Sequence, residues 1–142
     1  MGKTKKVPDR QGVEGGDTVE FLICRHCGNI IAYVNHKGPN VVCCGEEMQA
    51  LMPNIVDAAV EKHVPVVSWE GGMATVRVGS APHPMLEAHH IEWIALHTEQ
   101  GNQRKLLAPT GKPEAVFALT KEDKVISAYA YCNLHGIWKS LG

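Results

Sequence analysis

Nine of the thirteen histidine and cysteine side chains in this sequence are spaced as transition-metal donors, and they fall into two sets. The first is Cys24 and Cys27, two residues apart in Cys24-Arg25-His26-Cys27-Gly28, with the adjacent pair Cys43-Cys44 before Gly45. The C-x-x-C spacing puts two sulfurs on one tight turn, and Gly28 lets the backbone bend close around an ion. Four thiolates are soft donors that suit tetrahedral zinc or a single iron. Neighbouring residues such as Cys43 and Cys44 cannot both present sulfur to one ion without angular distortion, which favours an electron-transfer iron. His26 reads as a solvent-facing neighbour, because four thiolates already complete the shell.

The second set is drawn from the eight histidines and the fifth cysteine. His63 stands before Val64-Pro65, where the residue preceding proline is extended, so its ring is expected at a strand edge. His83 lies between Pro82 and Pro84, which stiffen its loop and reduce the entropy lost on ligation. His89 opens the segment Ile91 to Leu96, and Cys132-Asn133-Leu134-His135 brings a thiolate and an imidazole onto one turn. Five donors exceed what structural zinc or blue copper takes. Four imidazoles with one axial thiolate leave a sixth position open on ferrous iron, and the thiolate pushes electron density toward whatever binds opposite. That is the chemistry of a one-electron donor to a small oxygen ligand.

Fourteen basic and fifteen acidic side chains give a formal net charge of -1, with 44% hydrophobic residues. The balance gives no general electrostatic reason to bind nucleic acid, and no run of apolar residues is long enough to span a bilayer. Residues 1–17 carry lysines and glycines with almost nothing apolar, so they are expected to be a flexible tail and not a secretory signal. A cytoplasmic location follows as an expectation, with the cysteines reduced and available to metal.

The elements that must position these donors read as β throughout. Val19 to Ile23 and Ile30 to Val34 are expected strands, joined to Cys43 through a turn at Lys37 to Asn40. Residues 18–53 are too few to bury a self-sufficient core, so a metal would supply the missing stabilisation. Beyond Met52-Pro53-Asn54, residues 54–142 begin with an expected helical turn over Ile55 to Val60. Strands are then expected over Ala74 to Val78, Ile91 to Leu96, Lys105 to Ala108, Ala115 to Leu119 and Lys124 to Tyr131. In the second of these, Ile91, Trp93 and Ala95 share one face, and Glu92, Ile94 and Leu96 the other. Short strands at such spacing favour a sandwich or barrel.

The motifs CRHCGNI, VVCCGEEM, EKHVPV, VGSAPHPM, HHIEWI and YCNLHGIWK, from about Phe21 to Lys139, resemble those of desulfoferrodoxin, the two-iron form of superoxide reductase. The resemblance implies an all-β chain: a small desulforedoxin-like metal domain followed by an immunoglobulin-like β-sandwich. It implies one iron on Cys24, Cys27, Cys43 and Cys44, where zinc can stand in, and a catalytic iron on His63, His83, His89, His135 and Cys132. It further implies one-electron reduction of superoxide to hydrogen peroxide without release of dioxygen, a rubredoxin-like electron donor and a homodimer.

In a nearly neutral protein the attraction of a substrate anion must be local, and Lys62 is the cation placed to provide it. Glu61 resembles the carboxylate that closes the sixth position of the oxidised iron. The sequence departs from the family pattern at His90, where a Trp or Tyr is usual, and at Leu86 and Ala88, where charges are common. The spacing from His83 selects His89 over His90 as the ligand. Competing readings are a non-enzymatic iron electron carrier, a zinc-stabilised binding module and a redox sensor.

Overall fold

The computed structural model describes residues 19–142, so the expected tail at 1–17 lies outside the described residues. The chain forms two compact units that part between Leu51 and Met52; the sequence placed the boundary between residues 53 and 54.

The first unit is built from very short strands. β1 (Phe21–Ile23) pairs antiparallel with β2 (Ile30–Ala32), and a hairpin joins β3 (Val42–Cys43) to β4 (Glu46–Glu47). β5 (Gln49–Ala50) returns to the other edge of β1, giving the order β2-β1-β5. Its buried core is Leu22, Cys24 and Met48, with Ile31, Tyr33 and Cys43 packed around them. One of those three core residues is itself a metal-type donor. A core this small falls well short of what an unaided fold requires.

The second unit begins with a single helical turn, α1 (Val60–His63). The expected helical turn over Ile55 to Val60 therefore starts and ends later than the sequence suggested, and His63 closes a helix instead of sitting at a strand edge. Val64, before Pro65, is extended as the proline demands, so the restriction falls one residue beyond His63. A four-residue helix without a side-chain N-cap has almost no intrinsic stability, and its position is set by what it packs against.

Seven strands then make two facing antiparallel sheets. One is ordered β10-β7-β6 and the other β12-β11-β8-β9. They comprise β6 (Pro65–Glu70), β7 (Met73–Val78), β8 (Ile91–Thr98), β9 (Gly101–Leu106), β10 (Glu114–Ala118), β11 (Val125–Cys132) and β12 (Gly136–Leu141). Inward residues from both sheets share one core: Ala74, Val76, Val78, Ala115 and Phe117 from the first, and Ile91, Ile94, Leu96, Val125, Ala128, Ala130 and Cys132 from the second. Period-two alternation between core and solvent in β7 and β10 accounts for this.

Two elements depart from the expected pattern. β9 covers Gly101–Leu106 and not Lys105 to Ala108; its first residues are polar because it is an exposed sheet edge with only β8 to pair with. In β8, strict alternation would put Ile91 on the Trp93 face. The ladder shifts register between Tyr131 and Cys132, pairing Tyr131 with Trp93 but Cys132 with Ile91. The extra residue, Glu92, turns Ile91 into the core beside Ile94 and Leu96, as a bulge does. On β11 the alternation runs unbroken through Ala128, Ala130 and Cys132, so the thiol ends up facing inward at the strand's end.

Candidate metal centres

In the first unit the backbone folds around the sulfurs. The Cys24 amide donates to the Asn29 carbonyl and the Gly28 amide to the Cys24 carbonyl, both at 2.8 Å, with Gly28 at φ +86° in a conformation glycine adopts without penalty. Cys44 has φ +54°, so the adjacency of Cys43 and Cys44 is accommodated in the main chain by a left-handed residue. The four sulfurs lie within 4.8 Å of one another, and Cys27 Sγ is 3.7 Å from Cys43 Sγ. Thiolates bound about 2.3 Å from a tetrahedral ion lie ~3.8 Å apart, so the spacing fits one ion.

The local electrostatics already favour a thiolate. The Cys27 amide, 3.5 Å from Cys24 Sγ, leads the interactions that lower the Cys24 thiol to about 6, whereas the hydrogen bond with Cys24 leads those that push Cys44 up to about 12. Four crowded sulfurs cannot all ionise without a cation. His26 is exposed and pairs with Glu46 at 2.6 Å, outside the sulfur cluster.

In the second unit two loops and α1 converge. His63 ends α1, His83 and His89 lie in the connection from β7 to β8, and Cys132 and His135 bracket the turn between β11 and β12. Donor atoms of His63, His83, His89 and Cys132 lie within 4.8 Å of one another. His135 joins them, its Nδ1 lying 3.1 Å from His63 Nε2 and 3.7 Å from Cys132 Sγ. His90 does not; its Nδ1 turns back to the Leu86 carbonyl at 2.9 Å. Leu86 and Ala88 are exposed.

The protonation of these rings shows what the cluster is built to hold. His63 Nδ1 is 2.7 Å from the Ala59 carbonyl, and His83 Nδ1 is 2.7 Å from the Pro84 carbonyl. A carbonyl only accepts, so both Nδ1 atoms carry the proton and both Nε2 atoms present lone pairs. Those two Nε2 atoms face each other at 3.2 Å. Burial lowers all three buried rings: His63 and His89 fall below the ordinary imidazole range and His83 falls to about 4. No proton is therefore available between them at neutral pH, and His89 Nε2 is buried without any hydrogen-bond partner. Imidazole nitrogens held ~2.1 Å from one cation lie about 3.0–3.4 Å apart, according to whether the angle is right or tetrahedral. The observed spacings fall in that window. Burial also pushes the Cys132 thiol up, against donation from the Leu134 and His135 amides, so its sulfur ionises only beside a cation.

Glu61 and Lys62 are exposed on α1, two residues and one residue before His63 respectively. Repulsion from Lys62 is the smallest of the named causes that lower His63 and His89, after burial.

Several supporting groups carried no signal that sequence reasoning used. Trp138 packs against the His63 ring at 4.8 Å and donates from its indole to the His135 carbonyl at 3.1 Å. The α1 turn is held from outside by the Gly79–Ala81 segment: the Ala81 amide and the Ser80 hydroxyl both donate to the Glu61 carbonyl, at 2.9 and 3.2 Å. A Cβ on Gly79 would lie 2.6 Å from the Glu61 oxygen and 2.9 Å from the Val64 oxygen. Both are backbone atoms that cannot swing away. Gly79→Ala is therefore expected to destabilise the second unit by about 1–3 kcal/mol, as overpacking does. A lower urea midpoint at unchanged slope would register it.

Fold and donor sets together define an all-β protein with one tetrathiolate and one imidazole–thiolate metal centre. The family model described as Desulfoferrodoxin matches residues 55–141. The chain is 46% identical to a desulfoferrodoxin of Nitratidesulfovibrio vulgaris, an alignment covering 85% of this chain and 94% of that protein. It is 43% identical to a desulfoferrodoxin homolog of Archaeoglobus fulgidus, over 87% of this chain and 98% of the relative. The crystal structure of the superoxide reductase from Treponema pallidum superposes with a TM-score of 0.74 at 41% identity, covering 87% of this chain and 98% of that one. The chain belongs to the desulfoferrodoxin family.

Proposed function

We propose that this protein is a superoxide reductase, taking superoxide, one electron and two protons to hydrogen peroxide without releasing dioxygen. The observation that carries the reading is the cluster of His63, His83, His89 and Cys132 donor atoms within 4.8 Å of one another, with His135 Nδ1 3.1 Å from His63 Nε2 and 3.7 Å from the Cys132 sulfur. Iron held by His63, His83, His89, His135 and Cys132 supplies the one-electron chemistry. The Cys132 sulfur, buried and ionised only beside a cation, is the charge donor of the set. His63 and His83 are fixed in one tautomer by the Ala59 and Pro84 carbonyls, so neither ring has to reorganise during turnover. Lys62 draws the substrate anion toward the cluster and holds water there as the source of protons, and Glu61 is the carboxylate that meets the oxidised centre.

The small metal domain at 18–53 and the sandwich at 54–142 divide the labour. The four cysteines hold a second iron, replaceable by zinc, in a desulforedoxin-like setting. A rubredoxin-like protein as electron donor, a homodimer and a cytoplasmic location complete the reading, on the strength of family kinship. No helix among the described residues is long and apolar enough to cross a membrane.

The decisive experiment adds superoxide to the reduced, iron-analysed protein and follows both products. Two iron chromophores, peroxide formed one for one with superoxide, and no oxygen are expected. Oxygen evolved at half the superoxide consumed would mark a dismutase and refute the proposal. Replacing Lys62 with Ala is expected to slow superoxide consumption about tenfold and weaken its dependence on ionic strength, leaving the spectrum unaltered. An unchanged rate constant would remove Lys62 from the reaction.

A further inference from the structure

Of the four buried or half-buried rings of the cluster, His63 and His83 are oriented by a hydrogen bond from the nitrogen that faces away from it, His63 to Ala59 and His83 to Pro84. The ring of His89 has no hydrogen-bond partner for its buried Nε2, and none of the described hydrogen bonds involves its other nitrogen. Its aim is set by the backbone on either side, and one side chain grips that backbone at two points. The Asn133 carboxamide oxygen accepts from the His90 amide at 2.9 Å, and its nitrogen donates to the Ala88 carbonyl at 3.1 Å. The Asn133 amide donates to the His90 carbonyl at 3.1 Å, closing a third bond to the same segment. The far end of the segment is pinned where Leu86 and His89 exchange backbone bonds at 2.9 and 3.1 Å.

We propose that Asn133 is the positioning residue for His89, replacing the ring hydrogen bond that this imidazole lacks. The inference rests on the reading of this cluster as a metal centre. Only a carboxamide presents an acceptor and a donor at the spacing needed to straddle residues 88 and 90. Because Asn133 follows Cys132 directly, it also ties the strand end bearing the thiol to the loop bearing His89, so the two donors move together.

Two variants test this, with the four-cysteine chromophore as a reference inside the same molecule. Asn133→Leu keeps the branched shape and removes both side-chain bonds; Asn133→Asp keeps the acceptor and loses the donor. Release of iron from the second centre to a chelator is expected to accelerate about tenfold or more in Asn133→Leu and by less in Asn133→Asp, within the range typical of outer-shell partners. The visible band of that centre should shift in the same order while the four-cysteine absorption stays unchanged. Release and band position within twofold of the parent protein would overturn the proposal, as would equal loss of both chromophores, which would mark general unfolding. Should Asn133→Leu fail to fold, Asn133→Asp carries the same test alone. If the parent protein binds iron but does not reduce superoxide, the release assay still decides the role of Asn133 separately from the activity.

Discussion

Cys132→Ser is expected to abolish the visible band of the second centre and to lower superoxide reduction by at least about a hundredfold, more than an outer-shell change costs. The side chain is fully buried and packed in the sandwich core beside Ile91 and Ala130, so a hydroxyl of nearly the same size keeps the fold. What it loses is the soft, ionisable sulfur. Burial already raises the thiol; a buried serine hydroxyl has no ionised form within reach at neutral pH. Metal analysis on the same sample separates loss of iron from loss of charge donation. Retention of both the band and the rate would show that Cys132 is not a donor to the centre.

Removing the metal from the first unit is expected to have the other large effect. Cys27→Ser with Cys44→Ser should abolish its absorption and unfold residues 19–51 as a unit. That unit's clustered core is Leu22, Cys24 and Met48, with Phe21 and Ile23 the only other buried apolar side chains among its described residues, and one of the five is itself a sulfur donor. Structural metal in comparable small domains contributes apparent free energies of about 10–16 kcal/mol, a large term beside so small a core. Amide exchange should rise to the unprotected rate across β1, β2 and β5. The sandwich core draws only on residues of the second unit and should keep its protection. Persistent protection in the doubly substituted protein would mean that the small sheet stands without its ion.

Much of this was legible in the residues because metal donors are few in kind and their spacings are constrained. Cys24-x-x-Cys27 with Cys43-Cys44, and Cys132-x-x-His135 with His83 and His89, needed no long-range knowledge to be grouped. Alternation in segments such as Ala74 to Val78 pointed to a sandwich or barrel, and the family resemblance chose the sandwich. Features decided by tertiary contact were hidden. The helical turn ending at His63 has no cap or periodicity of its own and exists because Ser80 and Ala81 hold the Glu61 carbonyl. β6 begins with a proline and β12 begins inside the motif that ends at Lys139, so neither announced itself as a strand. The turn of Ile91 toward the core depends on a register shift against β11, which no alternation rule within β8 can reveal. Asn133 and Gly79 looked like ordinary turn residues until their partners were in view.

Because the Cys132 sulfur stays protonated until a cation takes it, filling the second centre at neutral pH sets free about one proton from that residue. His63, His83 and His89, kept neutral by burial, release none. The measured heat of metal uptake should therefore depend on the ionisation enthalpy of the buffer chosen, and acidity should compete with the ion for a single sulfur atom before it competes for the rings.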